Sequence, residues 1–240
     1  QGTPKIPTKV QRIFDDTDIK ATDAMTCIYG ENIDENSLTR MLSIGIFGKE
    51  KRLVPTRWSI TAVDDTLAKD MLKEVRSRQV GEYEAYFGSY LGNYYLILCF
   101  PSNWSYELFE MYTPSYTKRQ ILEFSTDSEP FEGRKTYAKN CAGGYYSVRF
   151  AIAEHLNKIK RQNAILALRF ITDEYLLPLG VWVTREATRK ALNNKPIRFA
   201  SEELLLTYAT HLAKKKFGVD LSEILKRSET INKEKSNLKK

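Results

Sequence analysis

The sequence predicts an α+β fold: a helical N-terminal portion, a central, largely antiparallel sheet, helices toward the C-terminus and a flexible charged tail. Three observations predict it. Apolar residues recur at three-to-four spacing through the first third of the chain. From Glu82 the pattern changes to short runs of aromatic and apolar residues, and after Gly143 and Gly144 the helical period returns. With 240 residues, 42% of them hydrophobic and 28% charged, the chain is long enough to bury a core as one large domain or two small ones.

Each element follows from its residues. QGTPKIPTKVQR holds two prolines without periodicity and is expected to be a loop or linker. DTDIKATDAMTCIY offers Asp and Thr caps ahead of Ile19, Ala24, Met25 and Ile28 and predicts a helix, and ENSLTRMLS predicts a second that Gly45 closes. RLVP is expected to be extended, because the residue before Pro55 is pushed out of the helical region. DTLAKDMLKEVRSR follows as a helix with Leu67, Met71, Leu72 and Val75 on one face. EYEAYFGSYLGNYYLILCF predicts two strands around a Gly-Asn turn, and SYELFEMY and RQILEFS extend the sheet. The polar stretch TDSEPFEGRK is expected to be a loop and a boundary. It divides an N-terminal region, 1–127, from a C-terminal region, 128–228, with a disordered tail at 229–240. In the C-terminal region CAGGYYSVRFAIAEHLNKIKRQN predicts a glycine turn and a helix with Val148, Ile152, Leu156 and Ile159 as its buried stripe. AILALRFIT and PLGVWVT predict strands and TREATRKALNN a short helix. Ser201 opens a helix over ELLLTYATHLAKKKF that Gly218 ends, and LSEILKR predicts one more.

Composition narrows the function classes. No apolar run approaches the roughly eighteen residues of a membrane helix, and no charged n-region precedes an apolar h-region, so neither a membrane nor a secreted protein is expected. Cys27, Cys99 and Cys141 are scattered, without the spacing of a zinc site or a disulfide framework, and suit a reducing cytoplasm. The chain begins at Gln1, so an upstream segment is expected. Only two histidines occur, His155 and His211, each in an apparent helix, and a histidine-centred catalytic site is not predicted. The net charge is +7, and between Arg134 and Arg169 eight cations face one anion, Glu154. That segment carries the whole excess, which points to a polyanionic partner or to a solvated helix face.

Several residues are candidates for chemistry. Gly143 and Gly144 open a helix where backbone amides could approach a phosphate, with Arg149, Lys158, Arg161 and Arg169 beyond, although two glycines also make a turn. Neither a Walker A loop nor a dinucleotide fingerprint is present. Asp64 and Asp65 either cap and begin a helix or, with Glu82, Glu84, Asp173 and Glu174, supply the carboxylates of a metal-dependent nuclease. Arg57 and Trp58, beside Thr56, Ser59 and Thr61, combine phosphate-matching donors with a stacking surface. On a strand, Arg57, Ser59 and Thr61 would share one face.

RLVPTRWSITAVDDT, with DDTDIKATDA upstream and GGYYSVRFAI and ALRFITDEYLLPLGVWVTREATRKAL downstream, resembles the archaeal Nre family of DNA-repair proteins from about Asp15 to Leu192. The resemblance implies a cytoplasmic repair factor whose partners are DNA and the sliding clamp PCNA. It also implies a zinc-binding cysteine cluster, expected upstream; no metal ligand is assigned within these 240 residues, and their metal content and cofactor are open. Family members tend to end in a clamp-docking motif, and in the tail KSNLKK Lys235 stands at its glutamine position and Leu238 at its aliphatic one, the chain stopping where the aromatics would begin. Such a motif on a flexible tether reaches a partner without constraining the body. Two functions remain: a DNA-binding repair factor recruited by the clamp, with Arg57, Arg149 and Arg169 on phosphates, or an enzyme acting on DNA or a nucleotide, with RWSITAVDD in its active site and Asp64, Asp65 or Glu174 as base or ligand.

Overall fold

The computed structural model describes residues 8–16, 18–48, 50–118, 122–176 and 179–232. They fall into two compact units divided between Asp70 and Met71. The sequence-predicted division at 127/128 lies inside a strand of the second unit.

The first unit is helical: α1 (Thr8–Asp15), α2 (Ala21–Tyr29), α3 (Glu35–Ser43) and most of α4 (Thr56–Val75). Part of the expected N-terminal loop is therefore helix. Val10 and Ile13 are buried and the Phe14 ring lies 6.2 Å from Phe47, an apolar stripe too short to announce itself in sequence. Asp34 caps α3, accepting from Asn36 N and Ser37 N at 3.0 Å and from Ser37 Oγ at 2.8 Å. These bonds, the Ser37 hydroxyl foremost, hold its carboxyl below the usual range.

RLVP lies outside any helix, but the residues after it, which on a strand would alternate, open α4. The Pro55 carbonyl accepts from Trp58 N at 2.9 Å and Ser59 N at 3.0 Å, so the ring that forces its predecessor out of helix also starts one. Arg57, Ser59 and Thr61 consequently follow a period of 3.6, not 2. Asp64 and Asp65 stand inside the helix and not at its N-terminus.

The second unit is built on a six-stranded mixed sheet of order β4-β3-β5-β2-β1-β6. Its strands are β1 (Tyr83–Tyr90), β2 (Asn93–Phe100), β3 (Ser105–Tyr112), β4 (Phe124–Glu129), β5 (Ala164–Ile171) and β6 (Ile197–Phe199). Among the described strands β3 and β5 pair in parallel and the other four pairings are antiparallel. Leu91 and Gly92, both at positive φ, form the β1–β2 turn, one residue before the expected Gly-Asn pair. The short helix α5 (Pro114–Thr117) follows β3.

Helices α6 (Ala142–Ile159) and α7 (Trp182–Leu192) cover one face of the sheet, and α8 (Glu202–Phe217) and α9 (Ser222–Arg227) the other. On the α8 side Leu96, Leu98, Phe109, Leu166, Leu168 and Phe170 form a continuous core with Leu205, Ala209 and Ile224. Alternation along each strand sends the intervening residues, among them Glu84, Tyr95, Glu110 and Arg169, to the α6 and α7 side.

Three further expectations are corrected here. TDSE is not loop but most of β4; its polar residues suit an edge strand, and its carbonyls are occupied by Asn140 Nδ2 at Thr126 O (2.8 Å) and Arg134 Nη1 at Ser128 O (2.8 Å). The strand expected over PLGVWVT gives way to α7, which Trp182 opens after Gly180 turns the chain at φ +90. That helix packs so closely on β1 that a Cβ at Gly88 would lie 2.6 Å from Ala191 Cα, and this docking outweighs the β-branched composition. The tail, expected to be disordered from 229, is helical over 229–232, with Ile231 in the core.

Candidate functional site

The sequence-predicted residues separate into exposed and buried groups. At the start of α4, Arg57 and Trp58 are exposed, and the Arg57 guanidinium lies 5.5 Å from the Trp58 ring centroid, a cation–π pair at the surface. Ser59 and Asp64 are buried, and the Ser59 hydroxyl donates to Val54 O at 3.4 Å. Asp65 pairs with Lys69 at 2.7 Å, one helical turn on. Glu174 accepts from the Tyr94 hydroxyl at 3.1 Å at the far end of the sheet. Among the described residues no three His, Cys, Asp or Glu side chains converge as a metal site would require.

Arg149 and Arg169, expected at phosphates, are held inside the second unit. Arg149 Nη1 donates to Glu129 Oε2 at 2.7 Å, and Tyr145 Oη and Trp104 Nε1 donate to the same carboxylate at 3.0 and 3.1 Å. Arg169 Nη1 donates to Glu110 Oε1 at 2.6 Å and Nε to Asn93 Oδ1 at 3.0 Å. Gly144 belongs to this arrangement: a Cβ there would sit 2.8 Å from Glu110 Oε1, so the glycine lets α6 lie against the acid. Gly143 precedes it in the first turn of α6. Lys235 and Leu238 lie outside the described residues.

The exposed cations gather elsewhere. Lys158, Lys160 and Arg161 follow one another at the C-terminal end of α6, a terminus whose dipole favours cations, and all three are exposed. Beside them lies a partly enclosed cavity of about 390 Å³, bounded by the loop before β1, the end of α6 and β6. Arg161 and Arg198 line it with Glu82, Glu84, Tyr86 and Asn163. Lys195, next to the lining Pro196, is also exposed.

Buried groups beneath the cavity orient its wall. Glu84 sits on β1 with 8% of its surface exposed; its Oε1 accepts from Arg198 Nε at 3.0 Å and its Oε2 from the Tyr86 hydroxyl at 3.0 Å. His155 Nε2 lies 3.3 Å from the same hydroxyl. Because the tyrosyl hydroxyl donates its one hydrogen to the carboxylate, the imidazole donates to the hydroxyl oxygen, giving a chain from His155 through Tyr86 and Glu84 to Arg198. Burial, reinforced by the charge of Glu84, pushes the Tyr86 hydroxyl well above the ordinary phenol range, so it stays protonated and donating. Burial lowers His155 from its ordinary value, against the attraction of Glu84. Glu82 adds a second contact to Arg198 Nε at 3.2 Å.

Sequence reasoning found Arg161, Glu82 and Glu84 separately but not this grouping. Arg198 comes from a three-residue strand with no pattern of its own, and Tyr86 and His155 are 69 positions apart.

Comparison with known proteins gives two adjoining matches: archaeal Nre, N-terminal, over residues 1–117, and archaeal Nre, C-terminal, over residues 129–240. The DNA repair protein NreB of Archaeoglobus fulgidus is 37% identical over 210 residues, 86% of this chain and 54% of that protein. The DNA repair protein NreA of Haloferax volcanii is 36% identical over 199 residues, 80% of this chain and 47% of that one. NreA of Archaeoglobus fulgidus is 34% identical over 217 residues, 89% of this chain and 55% of that protein. The chain thus spans about half the length of the curated relatives it matches. No solved structure matches it. With two matches that between them take in nearly all of its residues, the chain belongs to the archaeal Nre family.

Proposed function

We propose that the chain acts in cytoplasmic DNA repair, binds DNA through phosphate contacts, and is recruited by the sliding clamp PCNA through the C-terminal segment holding Lys235 and Leu238. The observation that carries the DNA-binding reading is the exposed cationic end of the second unit: Lys158, Lys160, Arg161, Lys195 and Arg198 against Glu82 and Glu84. Five cations on one end suit a polyanion; Arg198 is paired with Glu82 and Glu84, and the other four form no ion pair among the described residues, so they would release counterions on meeting phosphates. The repair role is supported by the names of the relatives. Arg57 and Trp58 on the first unit supply a separate donor and stacking surface. Arg149 and Arg169 hold buried carboxylates in this reading and position the helix that carries the basic end.

The test is the salt dependence of duplex DNA affinity. Replacing Lys158, Lys160 and Arg161 with glutamine is expected to flatten the slope of log K against log salt by about 2 to 3, roughly 0.9 per lost phosphate contact. An unchanged slope in a folded variant sinks the assignment of this edge. Removal of 233–240 is expected to abolish clamp binding and leave DNA affinity intact; a truncated protein that still binds the clamp overturns the recruitment reading.

A further inference from the structure

The cavity at the basic edge is more specific than a charged surface. We infer that it is a binding site for a phosphoryl group, gripped by Arg198 and Arg161. Arg198 is fixed through one atom: its Nε meets Glu84 Oε1 and Glu82 Oε2, while its two terminal amino groups donate to no described residue. Arg161 Nη1 makes one long contact, 3.4 Å to Lys160 O, and is otherwise uncommitted among the described residues. A guanidinium anchored by Nε keeps the edge that matches two oxygens of a phosphate, and a second guanidinium lining the same cavity suits a dianion.

The anchoring is itself built. Glu84 is a buried carboxylate, and a buried carboxylate is costly unless its oxygens are used. Here Tyr86, steadied by His155, holds one oxygen, so the other points at Arg198 with little freedom. Glu84 is thus a positioning residue for Arg198. Among the lining residues two arginines face two carboxylates; Lys160 and Lys195, both exposed, adjoin the lining residues Arg161 and Pro196 in sequence, while Lys158 lines a separate cavity with Glu154 and Arg189. A partly enclosed space of about 390 Å³ exceeds a bare phosphate and suits a phosphate with one attachment, whereas an internal phosphodiester continues in two directions.

The phosphoryl group could belong to a DNA strand end or be free phosphate. The strand-end arm rests on the DNA-binding reading above. The experiment compares one duplex with 5′-phosphate or 5′-hydroxyl ends, and inorganic phosphate alone by thermal shift, for wild type, Arg198→Gln and Glu84→Gln. Arg198 is largely exposed, so its variant tests the site even where Glu84→Gln fails to fold.

If strand ends are the ligand, the 5′-phosphorylated duplex binds the wild type about tenfold more tightly, and Arg198→Gln loses that preference, its affinity for the hydroxyl-ended duplex falling only as far as one lost phosphate contact requires. Glu84→Gln, which leaves Arg198 in place, is expected to lose part of the preference, an effect that a merely structural role would not confine to the phosphorylated end. No end preference, with a thermal shift by phosphate that Arg198→Gln abolishes, supports the site with free phosphate as its ligand. Neither preference nor shift overturns the proposal. Should phosphate shift the protein while neither duplex binds, the DNA-binding reading fails and the cavity assignment stands.

Discussion

Among the described residues on the face of the sheet covered by α8 and α9, the buried side chains are mostly aliphatic and aromatic, and one buried carboxylate, Glu107, stands among them with Ser228 and Thr230. On the face covered by α6 and α7, Glu84, Glu129, Arg149, Arg169 and Arg185 are buried with Tyr95, Tyr106 and Tyr145, and Glu110 is half-buried beside Arg169. The two faces share the same strands, so strand propensity cannot account for the difference. On the first face stability comes from removing apolar area from water, a term indifferent to geometry at this scale. On the second each charge must find its partner in a fixed place, and a misplaced helix would strand several at once. The polar face therefore specifies how α6 and α7 sit, and those helices frame the cationic edge.

Removing one partner of a pair breaks this comparison most sharply. Glu110→Leu leaves the Arg169 guanidinium buried with Asn93 alone and is expected to cost about 3–5 kcal/mol in urea unfolding. Adding Arg169→Met should recover most of that loss, because the pair replaced by apolar groups of similar volume strands no charge. A double variant no more stable than Glu110→Leu would show that the pair supplies net stability, not only specificity. It would place the polar face on the same energetic footing as the apolar one.

This division also explains what the sequence disclosed. The hairpin Glu82 to Phe100, strand β5 and helix α8 with its Ser201 cap and Gly218 stop were legible because hydrophobic period and end residues are local signals. The polar face was not. Arg149 and Arg169 look like surface cations until their acids, 20 and 59 positions away, are brought beside them. The proline at 55 was read correctly for the residue before it and not for the helix after it. Strand β4 was placed too early, over RQILEFS, which shares only Phe124 and Ser125 with it, because an edge strand whose carbonyls are covered by a loop needs no apolar alternation over TDSE. Of the cationic edge the run at 158–161 was visible, but Arg198 acquires its place only through pairing of β6 with β1.

The exception on the apolar face gives a smaller effect. Glu107 Oε2 accepts from Ser228 Oγ at 2.6 Å and Thr230 N at 3.1 Å, and Oε1 accepts from Glu229 N at 3.0 Å, capping the last described turn. Glu107→Gln trades charge-assisted bonds for neutral ones and is expected to lose about 1–2 kcal/mol, concentrated in that turn. Hydrogen exchange at the Glu229 and Thr230 amides reads it directly. Unchanged protection there would show that Ile231 packing alone holds the turn and that the apolar face tolerates its one acid without using it.

The smallest effect is in pH and concerns His155, at the boundary between the polar face and the cationic edge. Its imidazole is largely buried against Tyr86, with Glu84 beyond the hydroxyl and Lys158 one turn along α6. Burial lowers its folded-state pKa below the ordinary 6.5, outweighing Glu84 and assisted by Lys158. Between that lowered value and 6.5 the unfolded chain binds a proton that the native protein does not, so unfolding is favoured as pH falls through this window. Stability should therefore level off above pH 6.5 and decline below it. His155→Gln, which keeps a donor toward Tyr86 but does not titrate, should remove this part of the slope when urea midpoints are compared between pH 7.5 and 5.5. Parallel midpoints for the two proteins would mean that His155 protonates equally in both states. The imidazole would then have to be solvated in the native protein, and the chain from His155 to Arg198 would begin at Tyr86.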